Sequence, residues 1–272
     1  MPSLNSISIS QLSRLIGTPE SPVIVDVRID EDFNDDPHLI PGSFRHPYSK
    51  IGEISDRLKG RKVAIACWRG LKLSEGVAAS LRSDGISAEN LEGGCIAWRE
   101  AGFPMIPAAK LPECNEAGQT VWVTRHRPKI DRIACPWLIR RFVDPDARFL
   151  FVSPAQVEAV AEKFNATPFD IEGSFWSHRG ELCSFDTMVE EFALQTDPLS
   201  RLATIVRAAD TNRHDLAPEA AGLLAASLGL SRMYKDDLQQ LEAGMGLYDA
   251  FYRWARDAAD EGHDWPTASK KG

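Results

Sequence analysis

The chain has 272 residues, of which 43% are hydrophobic and 26% are charged. This composition is typical of a globular protein and excludes a wholly disordered, collagen-like or low-complexity chain. At roughly 100–200 residues per domain, the length favours two domains over one. The net charge of -8 disfavours attraction to nucleic acid or anionic lipid, so we expect neither as a partner.

No stretch of the sequence reaches the ~18 consecutive apolar residues that a membrane helix needs. The first residues contain no basic region followed by an apolar one, which a secretory signal would require. We therefore expect a cytoplasmic protein that does not associate with a membrane. The five cysteines are an odd number without a Cys-x-x-Cys pair, so no disulfide framework is predicted.

Short apolar runs alternate with helical patterns in residues 1–107. Residues 23–27 and 62–67 are continuous β-branched runs, which suit strands that are covered on both faces of a sheet. Apolar residues at helical spacing lie between them, and a second helical pattern over 74–81 ends at Gly85. This alternation predicts an α/β domain with a parallel sheet flanked by helices.

Residues 108–119 lose all periodicity and gather proline and glycine, which predicts an interdomain linker. Residues 120–262 are predicted to form a second, mainly α-helical (α+β) domain, and residues 263–272 a frayed tail. The predicted strands of the second domain are 121–123 and 149–152. Its predicted helices are 133–142, 155–164, 187–194, 198–209, 218–228 and 236–259.

Cys67 lies where an apolar strand ends and a helix begins. The carboxyl ends of parallel strands are favoured places for ligands. The N–H groups of the loop and of the following helix would form a concave anion site that favours the thiolate. The alternative is a buried thiol at a strand end without chemistry, since free cysteine is among the most buried residue types.

Residues from about 7 to 107 resemble the rhodanese family of sulfurtransferases. The resemblance rests on Val25-Asp26-Val27-Arg28, on His38-Leu39-Ile40-Pro41-Gly42-Ser43, on Cys67-Trp68-Arg69-Gly70-Leu71-Lys72 and on the segment from Leu91 to Pro104. It implies that the cysteine takes sulfur from a donor such as thiosulfate, becomes a persulfide and passes the sulfur to a thiol acceptor or cyanide, with no cofactor. Two departures from the family pattern are Lys72, where arginine is frequent, and a segment around residues 38–42 that is one residue longer.

The same resemblance assigns the roles of individual residues. Cys67 is the nucleophile, and Asp26 and Arg28 complete the catalytic group by supporting its loop. The loop residues that bind the anionic substrate are Trp68, Arg69, Gly70, Leu71 and Lys72.

The second half contains two sets of polar residues that suit ligand binding. His126, Arg127 and Lys129 follow a predicted strand and precede a helix, a good position for an oxyanion such as chromate or sulfate. Histidine and carboxylates further along are a ligand set for a divalent metal such as zinc. The candidate metal ligands are Glu172, His178, Asp186, Asp210 and His214. Solvated surface charges are the alternative to both sites.

Residues from about 120 to 257 resemble the C-terminal domain of chromate-resistance proteins of the ChrB type. The resemblance rests on the segment from Arg127 to Phe142 and on the segment from Phe169 to Asp186. It implies a part in tolerance to chromate, an oxyanion shaped like sulfate, without implying a mechanism. Some relatives are regulators, but no helix-turn-helix pattern precedes this domain here.

The sequence thus favours a two-domain enzyme of the thiosulfate:cyanide sulfurtransferase type, with a second domain that binds an oxyanion or a metal. The alternative function is a non-catalytic sensor or regulator, which uses Cys67 and the second domain to detect chromate or redox state. Turnover of thiosulfate discriminates between them, because a sensor needs reactivity without turnover.

Overall fold

The computed structural model describes residues 5–262. The predicted tail, residues 263–272, lies outside this range. The strands, numbered in chain order, are β1 (Ser6–Ile7), β2 (Val23–Asp26), β3 (His38–Leu39), β4 (Ser43–Arg45), β5 (Val63–Ala66), β6 (Ala88–Leu91), β7 (Ile106–Pro107), β8 (Val121–Arg125), β9 (Arg148–Val152) and β10 (Thr167–Pro168). The α-helices are α1 (Ile9–Leu15), α2 (Asp30–Asp35), α3 (Ser55–Leu58), α4 (Lys72–Ser83), α5 (Gly94–Glu100), α6 (Asp131–Leu138), α7 (Val157–Phe164), α8 (Ser184–Glu191), α9 (Asp197–Asp210), α10 (Ala220–Met233) and α11 (Asp237–Asp257).

The first half folds around a five-stranded parallel sheet in the order β1-β6-β5-β2-β4. The two predicted strands are β2 and β5, and every residue of both is buried. Successive side chains alternate between the faces of a strand. Val63, Ile65 and Cys67 therefore pack on the face covered by α4, whereas Ala64 and Ala66 join the core on the opposite face. The prediction of a parallel sheet flanked by helices is confirmed.

The second half contains a three-stranded parallel sheet in the order β10-β8-β9, followed by a group of helices. The fully buried Trp137 of α6 lies in the helical core, with its ring near those of Phe142, Phe185, Tyr248 and Tyr252. The predicted strands and helices of this half are confirmed, although their ends differ by a few residues. The mainly helical α+β class is therefore also confirmed.

Two helical predictions differ in detail from the structure. The pattern over residues 51–58 forms a 3-10 helix, Tyr48–Ile54, and only the four-residue α3. The pattern over 133–142 forms α6 and then a π-helical turn, Ile139–Val143. Helix α6 contains Pro136, which lacks the N–H group for a helical hydrogen bond.

The two halves of the chain pack directly against each other. One continuous core includes Ile24 of the first sheet and Trp122 of the second. Asp146 accepts hydrogen bonds from both Arg57 and Arg61 across the contact. The domain boundaries and the linker 108–119 stay predictions, because packing of this kind does not mark where one domain ends. Within residues 5–262, no helix has the length and apolar character needed to span a lipid bilayer.

A close approach of α11 to α6 at Gly244 gives a test of the helical packing. A Cβ atom at Gly244 would lie 2.6 Å from the Cγ2 atom of Ile133, whereas Gly246 has no atom within 4 Å of that position. We expect Gly244→Ala to lower the free energy of unfolding by about 1–3 kcal/mol through overpacking. The matched Gly246→Ala change should raise it by roughly 0.5–1 kcal/mol, because alanine favours the helix. Urea unfolding measures both changes in the free energy of unfolding. Equal changes in the two variants would contradict the close contact between Gly244 and Ile133.

Candidate functional site

The first candidate site is the loop that follows β5, the middle strand of the parallel sheet. Cys67 begins this loop, and α4 starts at Lys72. The thiol is buried, with 4% of the residue exposed. The loop therefore has the position between a strand and a helix that the sequence predicts.

The loop is held in place by the first turn of α5. The N–H of Cys95 donates to the carbonyl of Cys67 at 2.9 Å, and the N–H of Ile96 donates to the carbonyl of Trp68 at 3.1 Å. Gly94 allows this approach, since its φ is +61° and a Cβ atom there would lie 2.2 Å from the Cys67 carbonyl oxygen. These contacts fix the conformation of the loop.

The sulfur of Cys67 has a polar neighbour beneath the loop. Its Sγ atom lies 3.1 Å from the hydroxyl of the buried Ser74. The same hydroxyl lies within donor distance of Asn90 Oδ1, at 3.0 Å, and of the Leu71 carbonyl, at 3.2 Å. A hydroxyl has one hydrogen to donate. Ser74 can thus accept from a protonated thiol, or it can turn its hydrogen towards a thiolate.

The loop carries two exposed cations, Arg69 and Lys72. Neither makes an ion pair or a side-chain hydrogen bond with any residue in the described part of the chain. The ring of Trp68 has two guanidinium groups near it, with its centroid 5.8 Å from Arg28 Cζ and 5.4 Å from Arg99 Cζ. The positive charge near the loop is consistent with a site for an anionic substrate.

Asp26 and Arg28 form a buried ion pair with each other. The guanidinium of Arg28 donates to both carboxylate oxygens of Asp26 and to the carbonyls of Asp36 and His38. Asp26 follows the alternation of β2 and lies on the face opposite the Cys67 side chain. The pair therefore holds the chain after β2 in place, and Arg28 contacts the ring of Trp68 in the loop. The catalytic role of the pair stays a prediction.

The other buried thiols lie in surroundings that suppress ionisation. Burial raises the pKa of Cys95, of Cys135 and of Cys183 well above the ordinary value, and nearby carboxylates add to the effect. Cys114 is exposed. Cys183 lies in the core, as its apolar neighbours predict.

The second candidate site lies after β8 and is basic. His126, Arg127 and Lys129 line one depression with Arg132 and Arg232. The guanidinium of Arg127 is bound to the end of α10, where it donates to the carbonyls of Ser231 and Tyr234. The groups left to face an incoming anion are the exposed side chains of His126, Lys129 and Arg232. The sequence-predicted oxyanion residues thus share one depression.

Three carboxylates surround the imidazole of His178 close to this depression. The Nε2 atom lies 3.4 Å from Asp131 Oδ2, 3.4 Å from Asp170 Oδ1 and 3.3 Å from Asp210 Oδ2. Asp131 and Asp170 are buried, whereas the His178 side chain is 40% exposed. Asp131, Asp170 and His178 can offer one ligand atom each to a common metal ion.

The electrostatics of this cluster are dominated by negative charge. Burial raises the pKa of Asp131 to about 6, and the neighbouring carboxylates add to the increase. The neighbouring carboxylates of Asp131, Asp170 and Asp210 raise the pKa of His178 to about 12. The cluster therefore favours a positive charge at its centre.

The remaining predicted metal ligands lie apart from the centre of this cluster. Glu172 lines the open depression beside His178. Asp186 accepts from Arg207 and from the N–H of Cys183. Helix α9 ends at Asp210, so His214 is not one helical turn further along the same helix face. A ligand role for Glu172, Asp186 and His214 stays a prediction, while His178 and Asp210 do meet.

The predicted set of metal ligands omits Asp131, and it includes Glu172 in place of its neighbour Asp170. Asp131 stands in a run of charges that suggests a solvated surface, and Asp170 stands beside the more obvious Glu172. The missed signal is topological. Asp170 comes two residues after β10, which pairs in parallel with β8, so Asp170 and Arg125 lie at the same edge of one sheet.

Comparison with known proteins assigns both halves of the chain. Residues 8–101 match the family model of the rhodanese-like domain, and residues 122–255 match that of the ChrB C-terminal domain. The chain therefore joins a rhodanese-like domain to a ChrB C-terminal domain, and both sequence resemblances are confirmed.

Individual relatives match one half each. The chain is 36% identical over 133 residues to Protein ChrB of Cupriavidus metallidurans, which covers 48% of this chain and 39% of that protein. The chain thus spans less than half the length of this curated relative. Among solved structures, a rhodanese-like domain protein from Staphylococcus aureus is 33% identical, covering 35% of this chain and 91% of that one, with a TM-score of 0.31. A protein from Staphylococcus saprophyticus is 28% identical, covering 35% and 93%, with a TM-score of 0.32.

The surroundings of the thiols predict an order of alkylation. We expect brief treatment with iodoacetamide near neutral pH to label Cys67 before Cys95, Cys135 and Cys183, because the raised pKa values of these three leave almost no thiolate. Peptide mapping by mass spectrometry measures the order, and Cys114 serves as the internal control for an exposed thiol. Faster labelling of Cys95, Cys135 or Cys183 than of Cys67 would contradict the assignment of Cys67 as the reactive thiol.

Proposed function

We propose that the chain is a sulfurtransferase that carries sulfur as a persulfide on Cys67. The observation that supports this best is the position of the thiol. It lies at the carboxyl end of the middle strand of a parallel sheet, 3.1 Å from the Ser74 hydroxyl and in a loop with two unpaired cations in the described chain. The presence of a rhodanese-like domain is consistent with this chemistry.

The proposed reaction has two displacements on sulfur. The Cys67 thiolate attacks the outer sulfur of thiosulfate, so that a new S–S bond forms and sulfite leaves with the electron pair of the broken S–S bond. A thiolate acceptor or cyanide then attacks the outer sulfur of the persulfide. The acceptor keeps this sulfur, and the Cys67 thiolate is regenerated without a cofactor or an external oxidant.

The residues around the thiol support both displacements. Ser74 donates its hydrogen to the thiolate in the resting enzyme and after the second displacement. Arg69 and Lys72 attract the dianionic donor, and the N–H groups of the loop offset the charge on the departing sulfite. Lys72 acts as a point charge, since it lacks the planar fork of arginine.

For the ChrB C-terminal domain, we propose that the basic depression holds a tetrahedral oxyanion such as chromate or sulfate. His126, Lys129 and Arg232 would supply the charge-assisted hydrogen bonds. This places sulfur transfer and recognition of a sulfate-like anion in one chain, consistent with a role in tolerance to chromate.

The nucleophile assignment is tested by Cys67→Ser. We expect formation of thiocyanate from thiosulfate and cyanide to fall to background, because the hydroxyl that replaces the thiol is not ionised near neutral pH. Cys114→Ser is the matched control and should keep the wild-type rate, since Cys114 is exposed and far along the chain from the loop.

Two results would contradict the proposal. Equal rates in the Cys67→Ser variant and the wild type would exclude Cys67 as the nucleophile. A wild-type protein in which Cys67 is alkylated readily but no thiocyanate forms would support a sensor in place of an enzyme.

The anion site is tested by Lys129→Ala. We expect the dissociation constant for chromate, measured by isothermal titration calorimetry, to rise roughly tenfold through loss of one charge-assisted contact. Lys163→Ala, which removes an exposed lysine near the end of α7, should leave it unchanged. Binding that is equally weakened in both variants would mean a non-specific charge effect.

A further inference from the structure

The contacts around His178 are unusual for a histidine that only forms hydrogen bonds. A single Nε2 atom has three carboxylate oxygens at nearly equal distances of 3.3–3.4 Å. The N–H group carries one hydrogen, and good hydrogen bonds of this type are about 2.7–3.2 Å long. None of the three contacts is therefore a well-formed hydrogen bond, although all three partners point at the same atom.

A second feature is an orphaned oxygen in the same cluster. Asp131 is 1% exposed, and its Oδ1 atom has no hydrogen-bond partner among the described residues. Its other oxygen, Oδ2, accepts from the N–H of Ser184 at 2.6 Å and faces His178. A buried carboxylate oxygen without a partner is costly, and a bound ion or water would supply the missing partner.

We propose that Asp131, Asp170 and His178 bind a divalent first-row transition metal ion, which replaces the proton on His178 Nε2, with Asp210 as a further carboxylate beside the site. This inference goes beyond the proposed function, because it uses no residue of the Cys67 loop and requires no sulfur transfer.

The spacing of the donor atoms fits this assignment. Metal bonds to histidine nitrogen and carboxylate oxygen are about 2.0–2.2 Å long, so two ligands at a tetrahedral angle lie roughly 3.4 Å apart. The separations of 3.4 Å from Nε2 to Asp131 and to Asp170 match this value. The ligand atoms of Asp131, Asp170 and His178 all lie within 4.8 Å of one another, so a small movement of the side chains would bring all three to a common ion.

The donor set selects the class of metal. One imidazole nitrogen with two carboxylates suits Zn²⁺, Mn²⁺ or Fe²⁺, whereas Ca²⁺ and Mg²⁺ prefer sites made only of oxygen. The ligands come from separate parts of the chain, since Asp131 begins α6, Asp170 follows β10 and His178 precedes α8. Binding would therefore also cross-link these elements.

Neighbouring groups hold the ligands in orientation, as is usual around protein metal ions. Asp170 accepts from the Ser184 hydroxyl at 2.9 Å through Oδ1 and from Arg125 at 3.0 Å through Oδ2. Ser184 thus contacts Asp131 by its N–H and Asp170 by its hydroxyl. The exposed side of His178 faces the depression lined by Arg125, Glu172 and Ser177, which gives an ion access from solvent.

The test uses the full chain after treatment with a chelator. Mn²⁺ and Zn²⁺ are titrated separately, and bound metal is measured by elemental analysis after equilibrium dialysis. We expect about one equivalent, with an affinity at least tenfold lower in His178→Ala and in Asp131→Asn. The control is Asp215→Asn, which removes an exposed carboxylate paired with Arg213 and should bind like the wild type.

A spectroscopic measurement separates loss of ligands from loss of fold. Co²⁺ bound to the wild type should give visible d–d absorption that is lost in His178→Ala, while far-ultraviolet circular dichroism stays unchanged. His178 is partly exposed, so this variant decides the matter if Asp131→Asn does not fold. Absence of metal binding in the wild type, or equal binding and equal Co²⁺ spectra in His178→Ala, would overturn the proposal.

Discussion

Parallel pairing of strands brings their carboxyl ends to one edge of a sheet, and both halves of this chain build their polar sites on that constraint. In the first half, β5 ends at the middle of the sheet, and the loop that begins with Cys67 is closed by the first turn of α5. In the second half, β8 and β10 end side by side, which joins Arg125 to Asp170. Residues far apart in the sequence meet because of this pairing, and the helices that follow the strands supply Lys72 and Asp131 at their first positions.

The two sites favour ligands of opposite charge. The Cys67 loop must stabilise an anion that appears during a reaction, and it has cations, N–H groups and a serine hydroxyl that can change its donor direction. The cluster around His178 gathers the carboxylates of Asp131, Asp170 and Asp210, whose negative charge is offset by the imidazolium and by Arg125 and Arg132. Burying several carboxylates together is unfavourable without a compensating cation. The first arrangement suits turnover, whereas the second suits a resident positive ion.

Local patterns in the sequence were sufficient to predict the helices and strands and the place of individual residues, such as Cys67, relative to them. The β-branched runs predicted β2 and β5, and the residues around Cys67 predicted a loop between a strand and a helix. The sequence could not show that Asp26 lies on the opposite face from the thiol, because this depends on the register between β2 and β5, in which Asp26 pairs with Ala66. It also could not show that Asp131 is buried, since a charge within a run of charges is usually solvated. Burial of Asp131 follows from packing of α6 against α8, where the N–H of Ser184 meets the carboxylate.

Arg132 connects the two polar regions of the ChrB C-terminal domain. It lines the basic depression, and its Nε atom lies 3.2 Å from Asp170 Oδ2 in the carboxylate cluster. Its Nη1 atom also donates to the carbonyl of His126 at 3.0 Å, so it fixes the backbone of a residue that faces the depression. A cation bound by Asp170 would reduce the charge that the carboxylate offers to Arg132, and more of the positive potential of Arg132 would then reach an anion in the depression. Because such coupling is reciprocal, an oxyanion bound there would in turn strengthen the hold of the cluster on a metal ion.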